Sequence, residues 1–164
     1  MLSEYSRHGV DFSGFPEAER GKVALILGVH NFTPKQAKEI LEIARKAGMR
    51  KGGLMERTLY EQVNGFLTPA WTIGRLEKKS AAADAGRLKE WRFKGIFPVR
   101  RAASADKIAR VKTELAFRKG LQDYLERSDA AMKKVMEAWV PGISFENVSY
   151  KPRIDRASML PKFS

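Results

Sequence analysis

Thr33-Pro34-Lys35-Gln36-Ala37-Lys38-Glu39-Ile40-Leu41-Glu42-Ile43-Ala44-Arg45-Lys46-Ala47-Gly48 is the stretch that decides the fold class of this chain. Thr33 is an oxygen-bearing cap, and Pro34 loses nothing at a first helical position, where its missing N–H would have no partner. Ala37, Ile40, Leu41, Ala44 and Ala47 then recur at three- and four-residue spacing, which puts them on one face of a helix. Gly48 closes it. A helix with both ends marked and one apolar face predicts a helical core.

On the N-terminal side, Pro16, Glu17 and Glu19 have the chemistry of a helix first turn, where carboxylates meet the positive dipole end. They predict a helix through about Val29. Val23 to Leu27 is also apolar enough for a short buried strand, and periodicity does not separate the two over so few residues. On the C-terminal side, Arg50-Lys51-Gly52-Gly53 reads as a flexible basic loop. A stretch led by Leu54 follows, packing Leu59, Tyr60, Val63, Phe66 and Leu67 before Thr68-Pro69 interrupts it. Trp71, Ile73 and Leu76 open a further helical stretch. It is expected to continue through the alanine-rich Ser80 to Ala85 and on through Leu88, Trp91 and Phe93, until Gly95 and Pro98 end it.

Ser104 is placed to cap the longest helix, in which Ile108, Val111, Leu115, Phe117, Leu121, Tyr124, Leu125, Met132, Val135, Met136 and Trp139 recur near helical period. The phase slips near Gly120, which predicts a bend or break there. Pro141-Gly142 stops the helix, and the remaining tail, with Pro152 and Pro161, has no periodicity of its own. The expected architecture is mainly α, a small irregular multi-helix domain with extended terminal segments. Residues 1–40 form a partly helical N-terminal extension, 41–140 the helical domain and 141–164 an extended tail lying over a neighbour.

The chain has 164 residues, with 31 Lys and Arg against 19 Asp and Glu, a formal net charge of +12. Such an excess favours nucleic acid, anionic lipid or acidic protein surfaces. It is uneven: residues 1–32 hold three cations and four carboxylates, whereas Arg87 to Lys119 hold eleven cations and three carboxylates. Without cysteine there is no disulfide framework, thiolate nucleophile or thiolate metal site. The longest charge-free runs, Val23 to Pro34 and Gln62 to Gly74, fall short of the roughly 20 apolar residues needed to span a bilayer. No cleavable targeting signal is visible at the N-terminus.

Chemistry finds little foothold. His8 and His30 are the only histidines, and no carboxylates are spaced as metal ligands, so neither catalytic residues nor a metal or cofactor is expected. His30 beside an apolar run reads as a helix-end residue bonded to backbone. Lys51-Gly52-Gly53 lacks the spacing and preceding strand of a nucleotide loop and reads as a basic turn. Asn31-Phe32-Thr33 and Asn147-Val148-Ser149 match the glycosylation acceptor pattern by chance.

The strongest signal is the run Arg87, Lys89, Arg92, Lys94, Arg100 and Arg101, with Trp91, Phe93 and Phe97 interleaved. That composition stacks bases and neutralises phosphates. It is equally the composition of a helix flank, with aromatics facing the core and cationic stems covering the surface. On a helix, Arg87, Trp91, Lys94 and Gly95 share a side with Leu88, so the cations flank an apolar strip. That arrangement favours acidic protein side chains or anionic lipid head groups over a phosphate backbone.

Three segments stand out in order: Gly48-Met49-Arg50-Lys51-Gly52-Gly53-Leu54-Met55 with Tyr60-Glu61; Arg75-Leu76 followed twelve residues later by Arg87-Leu88-Lys89 and then Ile96-Phe97-Pro98; and Leu121-Gln122-Asp123-Tyr124-Leu125 with Trp139 beyond it. Together they resemble the subunit 7 family of the mitochondrial cytochrome bc1 complex, the ubiquinol-cytochrome c reductase binding protein. The chain departs from that family at Glu56-Arg57 and Glu77 and carries extra residues over 99–120. The resemblance implies a haem-free accessory subunit, peripheral to the matrix side of the mitochondrial inner membrane, packing on cytochrome b and the core subunits of complex III. Its contacts would run through Gly48, Lys51, Gly53, Leu54, Arg75, Leu76, Arg87, Leu121, Tyr124 and Leu125, to which the basic run adds Trp91, Arg92 and Arg101. A mitochondrial ribosomal or other RNA-binding structural protein, with ribosomal RNA as partner, is the alternative, ahead of a small enzyme.

Overall fold

The computed structural model describes residues 1–64 and 69–139. Along them run α1 (Leu2–Arg7), α2 (Glu17–Val29), α3 (Pro34–Ala47), α4 (Gly52–Asn64), α5 (Pro69–Asp84), β1 (Lys89–Lys94), β2 (Phe97–Ala102) and α6 (Ala105–Trp139). The domain is small and mainly α, as the periodicity of residues 33–48 predicts. Val23 to Leu27 lies in helix, which resolves the ambiguity left by its short apolar run. The expectations for Phe66, Leu67 and Thr68, the stop at Pro141-Gly142 and the extended tail lie outside the described residues.

Local chemistry explains most boundaries. The Thr33 hydroxyl accepts from the Gln36 N–H at 3.3 Å while the Gln36 side chain accepts from the Thr33 N–H at 3.0 Å, a reciprocal cap at the start of α3. At its other end Gly48 takes φ +78, the Gly48 N–H donates to the Arg45 carbonyl and the Met49 N–H to the Ala44 carbonyl. That pair of bonds satisfies carbonyls the helix leaves open, and it tucks Met49 into the core. The same closure ends α1 at Gly9 with Val10 buried, and α2 at Asn31 with Phe32 buried. Asn31, Phe32 and Thr33 thus serve as turn, core and cap in succession, which accounts for the first glycosylation-like triplet.

One core joins α1, α2, α3, α4 and the middle of α6. Tyr5, Phe12, Phe15, Val23, Leu27, Phe32, Ile40, Met55, Leu59, Phe117, Leu121 and Leu125 are all buried in it. Residues 1–40 therefore build this core together with the rest, and a boundary at residue 40 would cut through α3. The Tyr5 hydroxyl donates to the Phe32 carbonyl at 2.6 Å, tying α1 to the end of α2. Burial first, and the neighbouring Glu4 charge second, push its pKa up.

Lys51-Gly52-Gly53 is less of a loop than expected, since α4 begins at Gly52, whose N–H donates to the Glu19 carboxylate of α2. A Cβ on Gly52 would stand 3.3 Å from Val23 Cγ2, so the glycine lets the two helices approach. Its amide is thereby occupied, which fits a structural turn rather than a phosphate cradle.

α5 runs antiparallel along the first half of α6, with Lys112 to Asp84 at 2.7 Å and Lys119 to Glu77 at 3.0 Å bridging them. Two expectations about this region fail. The helix does not continue through Leu88, Trp91 and Phe93: Gly86 takes φ +70, and the bonds from Gly86 N–H to the Ala83 carbonyl and from Arg87 N–H to the Ala82 carbonyl close α5 there. β1 and β2 form an antiparallel hairpin instead. Nor does α6 break at Gly120, since it runs as one continuous helix from Ala105 to Trp139. The slip in its apolar phase marks a change of packing partner: Val111 lies among the half-buried residues facing α5, while Phe117, Leu121 and Leu125 enter the main core.

Candidate functional site

The hairpin is the part of the described chain that its own packing leaves uncovered. Lys94 pairs with Phe97 across the two-residue turn Gly95-Ile96, and Gly95 takes φ +66 while Ile96 stays at negative φ. Positive φ at the first turn position alone is the pattern of a type II′ turn, whose twist matches that of the strands. Pro98 is tolerated because a two-stranded sheet has only edge strands.

Register then sorts the side chains. Opposed residues in an antiparallel pair share a face, and neighbours along a strand alternate. Lys89, Trp91 and Phe93 therefore lie on one face with Pro98, Arg100 and Ala102, whereas Glu90, Arg92 and Lys94 lie on the other with Phe97, Val99 and Arg101. Trp91 is 64%, Phe93 77%, Phe97 68% and Ile96 at the tip 86% exposed. The Arg100 guanidinium sits 5.7 Å from the Trp91 ring centre, within cation–π range.

Glu90 is the one carboxylate among six cations between Arg87 and Arg101. It accepts from the Arg92 guanidinium at 2.8 Å and from the Ser104 N–H at 2.7 Å, and these bonds hold its pKa below the ordinary glutamate range. Ser104 in turn caps α6, its hydroxyl accepting from the Lys107 N–H at 3.3 Å. The hairpin is thus anchored to the start of α6 through the second face, and the Trp91–Phe93 face is left open.

The positive field continues along the adjoining helices. Arg75 lies 4.9 Å from the ring centre of the half-exposed Trp71. The Lys79 pKa is pushed down, by burial first and then by the charges of Arg75 and Lys107.

The expected contact residues separate into two groups. Gly48, Lys51, Gly53, Arg75, Arg87, Trp91, Arg92 and Arg101 are exposed. Leu76, Leu121 and Leu125 are buried within the chain itself, and Leu54 and Tyr124 pack partly against its core, so these five make internal contacts. Of the exposed group, Trp91, Arg92 and Arg101 lie on the hairpin, Trp91 on one face and the two arginines on the other, with Arg87 just before it. Reading it as a helix missed that Trp91, Phe93 and Arg100 share one face, with Arg100 opposite Trp91; the two-residue alternation Lys89, Trp91, Phe93 before Gly95 was the available signal. His30 is buried at the end of α2, its ring 6.3 Å from Phe32.

A second uncovered surface lies at the far end of α6. Met132, Val135, Met136 and Trp139 follow helical spacing on from the buried Leu125, and Trp139 is 82% exposed. Among the described residues no group of three His, Asp or Glu is placed to hold a metal ion, and no helix is long and apolar enough to cross a membrane. No family model matches the chain, and neither a curated protein nor a solved structure matches it.

Proposed function

We propose that this chain is a non-catalytic structural component of a ribonucleoprotein assembly, which it contacts through the β1–β2 hairpin. The observation that carries the reading is the face on which exposed Trp91 and Phe93 lie beside Lys89 and Arg100. Nothing in the core needs these rings, because the hairpin contributes no buried residue. Cations neutralise phosphates and aromatic faces accept bases, so the combination suits RNA better than an acidic protein surface, which would occupy the cations and leave the rings wet. The preference for acidic side chains or lipid head groups rested on a helical Arg87 to Arg101, and that premise is gone.

A second reading is the accessory subunit of complex III implied by the sequence resemblance, peripheral to the matrix side of the inner membrane and packed on cytochrome b and the core subunits. The strip Met132, Val135, Met136 and Trp139 favours it, since a row of exposed apolar side chains at helical spacing suits a protein neighbour. One fractionation separates the readings. Comigration of the tagged chain with ribosomal RNA in a sucrose gradient, abolished by ribonuclease, is the expected result. Comigration with haem b in a mild-detergent membrane extract, unaffected by ribonuclease, would overturn the first reading in favour of the second.

A further inference from the structure

We infer that the open face of the hairpin takes an extended single strand of RNA, with two consecutive bases stacked on Trp91 and Phe93. The inference rests on the reading of the hairpin as an RNA contact and names the form of RNA it accepts. Alternate residues of a strand stand about 7 Å apart along it. Stacked bases of one duplex strand are only about 3.4 Å apart, so two rings at the hairpin spacing cannot lie on neighbouring bases of a helix. They can lie on neighbouring bases of a strand that has been drawn out and unstacked.

Three features of the face support this. The rings are open to solvent, and neither is used by the core. Arg100, directly across from Trp91 and within cation–π distance of it, steadies the ring and places a charge where the backbone of a stacked nucleotide would pass. Lys89 puts a second cation on the same face, next but one to Trp91 along the strand. Against a duplex stands the shape of RNA itself: the A-form major groove is too deep and narrow for side chains to read, and the shallow minor groove offers no ring-to-base stacking. The opposite face carries Arg92, which is bonded to Glu90, and so contributes charge without a stacking pair.

The test uses the full chain and fluorescence anisotropy with a labelled single-stranded uridine oligonucleotide, a labelled RNA duplex of equal length, and phosphatidylserine vesicles as a third probe. Saturable binding to the single strand, tighter than to the duplex, is expected. Trp91→Ala and Phe93→Ala should each weaken it about tenfold, since base–aromatic stacking contributes on that scale, with the salt dependence unchanged. Lys89→Ala, which removes a cation from the open face, should weaken it less and flatten the logarithmic salt slope by about 0.7. Neither ring belongs to the core, and circular dichroism checks that the fold is kept.

Duplex binding equal to or tighter than single-strand binding, or aromatic variants that bind like the parent, would overturn the stacking inference and leave the RNA reading standing. Affinity for both RNAs no better than the ~10⁻⁴ to 10⁻⁶ M of any basic surface would overturn both. So would capture by the vesicles without saturable RNA binding.

Discussion

Arg118 is 1% exposed, and its guanidinium is held by Glu61 of α4 and, at 3.0 Å, by Glu114 one turn back on α6. Glu114 is also reached by Arg57 at 3.3 Å, so four charges tie α4 to α6 beside the core. Taking away the cation leaves two carboxylates half-enclosed without it, and breaking a buried pair from one side costs about 3–5 kcal/mol. Arg118→Ala should therefore lower the urea midpoint by an amount equivalent to about 3 kcal/mol, with the slope of the transition unchanged. Arg45→Ala, which removes an exposed pair with Glu42, should leave the midpoint where it is. Equal midpoints for both variants would show that Arg118 is not enclosed. The sequence offers no sign of this residue's burial, because an arginine in a charged helix looks like a solvated one until Glu61, 57 positions away, is brought beside it. Ala37, Ile40, Leu41 and Ala44 are the contrary case: their spacing alone marks the buried face of α3, and all four are buried.

Elements were readable where their ends are chemically marked. Thr33, Gly48 and Ser104 announce a cap, a closure and a cap, and each does that work. The hairpin was not readable as such, because Leu88 and Trp91 are three apart and suit a helix as well as a strand, while the Trp91–Phe93 alternation is too short to outweigh the alanine-rich helix before it. Tertiary structure gives no help there, since neither strand has a core to face. Gly120 shows a sequence signal with a different cause from the one it suggests. Where the α6 phase slips, a Cβ on Gly120 would stand 2.6 Å from Ile43 Cγ2 of α3, so the glycine permits close approach of two helices. Alanine in a helix interior is ordinarily better than glycine by about 1 kcal/mol, whereas forcing a methyl into packed contact costs about 1–3 kcal/mol. Gly120→Ala should thus destabilise on balance, and Ile43→Ala, which vacates the space, should turn the same change favourable. A double-mutant cycle should show a coupling of about 1–2 kcal/mol. If Gly120→Ala alone raises the denaturation midpoint, the close crossing of α3 and α6 is wrong.

The described residues form one helical head, and a single long helix carries a surface at each of its ends. α6 is 35 residues, about 52 Å end to end, and it carries the cationic hairpin at one end and the Met132–Trp139 strip at the other, with the core gripping its middle. The surfaces proposed for partners therefore stand apart from the part that keeps the chain folded. Nine of the nineteen residues of the core, among them Tyr5, Phe12, Phe15, Leu27 and Phe32, come from the first 32 positions. Each large apolar side chain that is fully buried contributes about 1.5–3 kcal/mol, so losing those five alone approaches or exceeds the ~5–15 kcal/mol by which a domain of this kind is stable. The first 32 residues of the segment 1–40 that reads as an extension thus supply nearly half of the core, and a chain beginning at Thr33 should melt without a cooperative transition and expose the faces of α3 and α4 that α1 and α2 cover. Replacing residues 89–102 by a short Gly-Ser link should instead leave the transition almost where it was, because the hairpin buries none of its residues and α5 and α6 already lie antiparallel. Calorimetry of the two truncated chains measures both. A cooperative transition in the chain starting at Thr33, at the temperature of the full chain, would mean that residues 1–32 are an appendage after all and that α3, α4 and α6 close a core by themselves.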